Sequence, residues 1–237
     1  MIAGPKTAMV LAAGVGSRMR PLTDHLPKAL VTVNGKALID QILDRLADAG
    51  VETAVVNVHH FADQMETHLA GRSHPRVVIV DERAALLDSG GGIKNALPLL
   101  GPDPFFVANI DSLWDGGTLE PLEQMKAAWD PAKMDLLVLL VPKGQGIGFE
   151  GPRGFFMDED GRITHSADDA NPAPLANVGF QIMKPNLMAD EPMAAFSVLP
   201  IWWRLQKAGR IFGVVMDAYW MHVGDPAARE AAEARLT

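Results

Sequence analysis

The residues best suited to chemistry sit in one glycine-rich stretch, Leu11-Ala12-Ala13-Gly14-Val15-Gly16-Ser17-Arg18-Met19-Arg20-Pro21-Leu22-Thr23, followed by Pro27-Lys28. Small residues at Ala12, Ala13, Gly14 and Gly16 let the backbone come close to a phosphate chain, so that N–H groups can donate to it. Arg18 adds a planar fork of donors that matches phosphate oxygens, and Lys28 adds a compact point charge. Pro21 and Pro27 stiffen the loop and reduce the entropy lost when a ligand orders it. This is equipment for holding a polyphosphate. Two familiar phosphate motifs are absent: no Gly-Lys-Ser/Thr follows the glycines, and Met19 stands where Gly-x-Gly-x-x-Gly needs its third glycine. The competing reading is a turn that merely joins a strand to a helix. Arg18, Pro21 and Lys28 in this order argue against it.

A second candidate is Asp111, in Ala108-Asn109-Ile110-Asp111-Ser112 at the end of an apolar run. A carboxylate leaving a buried strand sits at the ligand edge of a sheet, and Mg²⁺ prefers one or two carboxylates completed by phosphate oxygens. A turn or N-cap Asp is the alternative. Gly90-Gly91-Gly92, ahead of a helical pattern from Ile93, either lets a base and ribose lie against the backbone or is a plain loop. His59-His60 is set aside as a metal pair, because adjacent residues of a strand point to opposite faces. Trp202-Trp203 reads as helix packing or an interface.

Stepping outward, residues 7–11 read as a strand, and a loop at the carboxyl end of a parallel strand is where α/β sheets place ligands. Leu38, Ile39, Ile42, Leu43 and Leu46 recur at helical spacing, closed by Gly50. Further strands are predicted over 53–58, 76–80, 105–110, 134–141, 175–183, 211–216 and 219–223. Helices are predicted over 61–69, 93–100 and 196–208, and a closing one begins at Asp225-Pro226 with Asp as N-cap. Asp158-Glu159-Asp160-Gly161 between two short strand-like runs signals a hairpin. The alternation predicts a mixed sheet covered by helices, in a single domain spanning 1–237. Residues 144–186, rich in Gly, Pro and Asp, stand out as a lobe of that domain.

Composition narrows the field. A chain of 237 residues buries roughly 70–75% of its unfolded surface, enough to hold a core without staples. The absence of cysteine excludes a disulfide scaffold, Cys-ligated zinc, an iron–sulfur cluster and thiol catalysis. With 21 Lys+Arg against 29 Asp+Glu, the net charge of −8 argues against a nucleic-acid binder. It does not exclude an anionic small molecule, since two cations and backbone N–H groups suffice locally. The longest apolar run, from Leu136 to Val141, falls far short of the ~20 residues of a membrane span. The chain therefore reads as soluble and cytoplasmic.

Positions 11–30 resemble the sugar-1-phosphate nucleotidyltransferases, whose fingerprint is Leu-Ala-Ala-Gly-x-Gly-x-Arg-x-x-Pro-Leu-Thr, a short spacer, then Pro-Lys-x-Leu. Val33-x-Gly35-Lys36-x-Leu38-Ile39 continues the match, with Ala37 where the family usually has Pro, and a weaker likeness runs on to the closing helix. The short length and Gly90-Gly91-Gly92-Ile93 look most like the members that join UTP to N-acetylmuramate 1-phosphate in cell-wall sugar recycling. The resemblance implies a three-layer α/β/α, Rossmann-like fold with a mixed sheet. It also implies transfer of a nucleoside monophosphate from an NTP to a sugar 1-phosphate, with release of pyrophosphate. Arg18, Lys28 and Asp111 become the catalytic set. Leu11, Ala12, Ala13, Gly14, Gly16, Glu82, Gly90, Gly91 and Asn109 become nucleotide contacts, and Asn177 and Gly179 sugar contacts. Glu82 stands at the family's base-reading position, where a carboxylate accepts from uracil N3–H; a cap or a solvated acid explains it equally well. Asp111 would hold Mg²⁺, with Mn²⁺ as the alternative. A homodimer is left open.

Two departures qualify the match. The family ends in Trp-x-Asp-Val-Gly-Thr-Pro, whereas this chain reads Trp220-Met221-His222-Val223-Gly224-Asp225-Pro226. His222 thus occupies the second metal-binding position. Either His222 ligates or touches phosphate, or Asp225 supplies the carboxylate, or Asp111 suffices with His222 nearby; the third is favoured. Many relatives also carry Glu-Lys-Pro after the hairpin, whose Lys meets the sugar phosphate. Here His165-Ser166-Ala167-Asp168 follows, leaving Lys143 or Arg153 as substitutes. Rival readings are a guanylyl- or thymidylyltransferase for mannose, heptose or glucose 1-phosphate, and a non-catalytic nucleotide-sugar sensor.

Overall fold

In the computed structural model, residues 4–149, 153–166, 168 and 170–237 are described, so parts of the 144–186 segment, Ala167 among them, lie outside the described residues. In chain order the strands are β1 (Thr7–Leu11), β2 (Thr32–Val33), β3 (Lys36–Ala37), β4 (Thr53–Val58), β5 (Arg76–Asp81), β6 (Phe105–Asn109), β7 (Ser112–Asp115), β8 (Leu136–Pro142), β9 (Gly146–Ile147), β10 (Gly154–Met157), β11 (Ile163–Ser166), β12 (Leu175–Met183), β13 (Ile211–Val215) and β14 (Tyr219–His222). The α-helices are α1 (Leu38–Asp48), α2 (Ala62–Leu69), α3 (Asp88–Leu100), α4 (Pro121–Ala128), α5 (Leu199–Lys207) and α6 (Pro226–Leu236).

Strand pleating sends alternate side chains to opposite faces. In β1, Ala8 and Val10 enter one core and Met9 the other; in β8, Leu137 and Leu139 face one core and Leu136, Val138 and Leu140 the other. Strands apolar on both faces need cover on both faces. Helices α1, α2, α4 and α6 cover one side, and α3 and α5 the other. The result is the three-layer sandwich around a mixed sheet that the sequence predicts.

The main sheet runs β5-β4-β1-β6-β12-β8-β13. Strands β4 and β6 flank β1 in parallel, and β5 pairs in parallel with β4. Antiparallel β12 is wedged between β6 and β8. The chain leaves β1 toward β4 and β5, then returns to β6 on its other side, so the carboxyl end of β1 is a topological switch point, the usual ligand crevice of such sheets. The hairpin β10–β11 extends the sheet through Phe155 opposite Leu175. A small second sheet holds β14 between β7 and β9.

Most boundaries shift by one or two residues, and three differences bear on the site. Helix α3 begins at Asp88, so Gly90-Gly91-Gly92 lie inside its first turns rather than ahead of it. A Cβ on Gly90 would sit 2.3 Å from the Phe196 ring, and one on Gly91 2.3 Å from the Ala194 carbonyl oxygen. Glycine is what allows this helix to press against the 194–196 chain. The same contact shortens α5: Phe196 is held by N–H donation to Leu87 and by accepting from Gly90 and Gly91, so the helix starts only at Leu199. Strand β7 and helix α4 are additional, and the strand predicted over 105–110 ends at Asn109, with Asp111 in the turn before β7.

Candidate active site

The loop after β1 is pinned before any ligand arrives. Gly16 has φ +69°, a left-handed conformation that disfavours a side chain, and an added Cβ would lie 2.9 Å from Lys28 Cβ. Its carbonyl accepts from the Thr23 hydroxyl at 2.9 Å, and Thr23 is buried. At the start of the loop, Asn57 at the end of β4 accepts from the N–H groups of Ala12 (2.7 Å) and Ala13 (3.3 Å). Lys28 opens a short 3-10 helix and is only 8% exposed. Arg18 is exposed and makes no ion pair with any described residue.

Lys28 reaches across to Asp111, Nζ to Oδ2 at 2.5 Å. The pairing of β14 with β7 sets His222 opposite Ser112, which brings its Nε2 to 3.3 Å from the same Oδ2. Gly224 makes room for the ring, since a Cβ there would meet imidazole Cε1 at 2.8 Å. His222 Nδ1 is 2.8 Å from the Gly148 carbonyl, which only accepts, so Nδ1 carries the hydrogen. In the neutral ring, Nε2 then faces a carboxylate with a lone pair, an arrangement that calls for a proton or a cation. Burial pulls the His222 pKa down, but hydrogen bonding to and the charge of Asp111 outweigh it and hold it above the ordinary value. Burial pushes Asp111 up, yet His222 and the Lys28 charge hold it well below the usual carboxylate range.

One carboxylate and one imidazole whose other nitrogen is fixed by a backbone carbonyl fit a divalent cation, provided phosphate oxygens complete its shell. Among the described residues no group of three or more His, Asp or Glu gathers elsewhere for that purpose. Asp225 is occupied as the N-cap of α6, accepting from Ala228 N–H at 2.9 Å.

Two adjoining cavities open here. One of about 240 Å³ is lined by Gly14, Gly16, Arg18, Lys28 and Asp111. The other, about 460 Å³, is lined by Ala13, Asn57, Leu86, Asp88 and Ser89. They share Leu11, Gly14 and Asn109, at the ends of β1 and β6. Glu82 is buried, with Oε1 accepting from Asn57 Nδ2 (2.9 Å) and Oε2 from Leu87 N–H (3.3 Å). Both its oxygens are thus engaged inside the fold. Gly90 and Gly91 face the 194–196 chain. Asn57 belongs to no motif in the sequence. Its signal was a polar residue in the otherwise apolar end of β4. His59 and His60 fall just past β4, and His59 Nδ1 is 2.7 Å from the Glu82 carbonyl oxygen.

On the far side of β6, Gly179 at φ +91° lets Asn109 approach, for a Cβ there would lie 2.8 Å from Asn109 Nδ2. The Asn177 side chain accepts from Gly179 N–H at 2.8 Å and lines a third cavity with Arg153, His165 and Trp203. Trp202 packs into the core, in keeping with its sequence reading, while Trp203 meets the His165 ring.

A switch-point crevice with a glycine loop, two cations and one bracketed carboxylate is equipped to hold a polyphosphate and a divalent cation. Residues 8–146 match the family model of the MobA-like NTP transferase domain. The chain belongs to the sugar-1-phosphate nucleotidyltransferases, enzymes that move a nucleoside monophosphate from an NTP to a sugar phosphate. It is 53% identical to the N-acetylmuramate alpha-1-phosphate uridylyltransferase of Caulobacter vibrioides, over 100% of this chain and 99% of that one. It is 32% identical to the protein of the same name from Neisseria meningitidis serogroup B, over 96% of each. The inositol-1-phosphate CTP transferase from T. maritima shares the fold, with a TM-score of 0.77 at 19% identity, over 97% of this chain and 94% of that one.

Proposed function

We propose that this enzyme transfers uridylyl from UTP to N-acetylmuramate 1-phosphate, giving UDP-N-acetylmuramate and pyrophosphate. The observation that carries the reading is the full-length, 53% likeness to the Caulobacter vibrioides uridylyltransferase. A phosphate oxygen of the sugar 1-phosphate attacks the α-phosphorus of UTP, and the bond to the bridging α,β-oxygen breaks as pyrophosphate leaves. The nucleophile is already anionic, so no general base is required. The work of the protein is alignment and neutralisation. Lys28, the buried cation, and Arg18, the exposed one, bracket the triphosphate while loop N–H groups beyond Ala13 donate to it, those of Ala12 and Ala13 being held by Asn57. Leu11 and Asn109 line the base and ribose side, and Asn177 and Gly179 the sugar side. Mg²⁺, or Mn²⁺ in its place, would be held by Asp111 with His222 beside it, and when bound neutralises phosphate charge. Glu82 acts by holding Asn57 rather than by touching the base.

In this reading the whole chain is one catalytic domain with 144–186 as its sugar-side lobe. The enzyme is cytoplasmic and serves cell-wall sugar recycling; among the described residues no helix is long and apolar enough to cross a membrane. Pyrophosphate release measured for each NTP against a panel of sugar 1-phosphates tests it. The highest kcat/KM is expected for UTP with N-acetylmuramate 1-phosphate. A preference for GTP with mannose 1-phosphate would replace the substrate pair. Tight binding of a nucleotide sugar without turnover of any pair would make the protein a sensor.

A further inference from the structure

The third cavity, about 380 Å³, contains a cation that no step above employs. Its walls include Phe149, Arg153, Phe155, His165, Asn177 and Trp203, and no acidic residue is among its described lining. Aromatic rings build it: His165 lies 4.7 Å from Trp203 and 5.5 Å from Phe155, centroid to centroid. Arg153 is exposed on this wall and has no ion-pair or hydrogen-bond partner among the described residues. His165 is held below its ordinary pKa by burial and by the Arg153 charge, so the ring is neutral at pH 7. The positive charge comes from the guanidinium and from Lys143, whose Nζ lies 5.8 Å over the Phe149 ring. Asn177 joins this cavity to the reaction centre, because two residues further along β12 Gly179 packs on Asn109.

An aromatic box with one unpaired guanidinium suits a ligand that is apolar over most of its surface and carries one carboxylate. N-acetylmuramate differs from the common hexosamines by a lactyl ether, which supplies a methyl group and a carboxylate. Resting on the substrate proposed above, we infer that Arg153 binds the lactyl carboxylate of the sugar, while the aromatic wall receives its apolar groups. Arg153 is then a specificity residue, and it contributes nothing to the phosphate chemistry.

The test compares the wild type with Arg153→Ala and Arg153→Lys at saturating UTP. The acceptors are N-acetylmuramate 1-phosphate, its uncharged lactyl amide, and N-acetylglucosamine 1-phosphate. The wild type should prefer the acid to the amide by about tenfold to a hundredfold in kcat/KM, the range of one charge-assisted bond. Arg153→Ala should erase that ratio through KM, with kcat/KM on the amide and on N-acetylglucosamine 1-phosphate changed by less than about threefold. Arg153→Lys should keep part of it. A wild type indifferent to the amide, an Arg153→Ala variant that keeps the ratio, or an equal loss on acid and amide at unchanged melting temperature would each overturn the inference and leave the proposed reaction standing. A wild type that uses another sugar phosphate but not N-acetylmuramate 1-phosphate would overturn the reaction itself, and this inference with it.

Discussion

His222 donates Nδ1–H to Gly148 and presents Nε2 to Asp111, so one imidazole stands where a carboxylate is expected from the family pattern. Ligand charge sets affinity for a hard cation, and neutral imidazole suits Mg²⁺ less well than oxygen does. His222→Asp should therefore lower the Mg²⁺ concentration for half-maximal pyrophosphate release by roughly tenfold. Without Mg²⁺ the variant should melt at a lower temperature, because two carboxylates would face each other with only Lys28 between them, and Mg²⁺ should restore the loss. An unchanged Mg²⁺ requirement would put position 222 outside the cation's shell. At this scale the sequence was explicit about Arg18 and Lys28, whose types and spacing form a motif, while Asp111 stood out only as a carboxylate leaving an apolar run. It was silent about Asn57 and about the Gly148 carbonyl, because a buried amide and a backbone oxygen belong to no motif.

At the scale of elements, the carboxyl ends of β1, β4, β5 and β6 act as one unit. Asn57 on β4 grips the N–H groups of Ala12 and Ala13 and is itself held by Glu82, just beyond β5. Gly92 of α3 closes over both: a Cβ there would lie 2.9 Å from Asn57 Nδ2 and 3.1 Å from Glu82 Oε1. This chain of contacts fixes where the glycine loop leaves β1. Asn57→Ala removes two bonds to the loop and strands one buried carboxylate oxygen. It should cost about 1–3 kcal/mol in denaturant melts and raise the KM for UTP several-fold, with kcat less affected. A variant that lost the stability but kept the wild-type KM would show that the clamp does not position the nucleotide. The glycine run was visible in the sequence. That it sits inside a helix, pressed against 194–196 on one side and Asn57 on the other, depended on packing between segments far apart in the chain.

Across the whole molecule, the edge of the sheet opposite the ligand crevice is tied by one acid. Asp135 precedes β8 and accepts from Lys184 Nζ at 2.7 Å, just after β12, and from Arg210 Nη2 at 2.9 Å, just before β13. The Arg210 hydrogen bond, with Lys184 adding to it against a partial burial penalty, holds the Asp135 carboxyl below its ordinary value. A depressed carboxylate stabilises the fold fully above the ordinary Asp value of about 3.9, and the contribution is lost as pH falls through the lowered native value. Asp135→Asn should thus lower stability by about 1–2 kcal/mol at pH 7, a figure discounted for partial exposure, with the gap to wild type narrowing below about pH 4. Melting temperatures of both proteins at pH 7 and pH 3 decide this; a gap that widens on acidification would assign the effect to something other than the ion pairs.

The local pattern determined much by itself. The glycine loop after β1, the two-sided apolar strands, the N-cap at Asp225 and the alternation that makes a mixed sheet covered by helices all depend on neighbours within a few turns of chain, so they can be read from spacing. Tertiary structure alone decided what meets what. His222 reaches Asp111 because β14 pairs with β7 in one register, and a shift of one residue would turn the imidazole to the other face. Arg153 and Trp203 share a cavity because the β10–β11 hairpin extends the sheet beside β12 and α5 packs against the face that carries Phe155. Such contacts join residues tens to over a hundred positions apart, and their partners are chosen by sheet order and packing, which spacing along the chain does not encode.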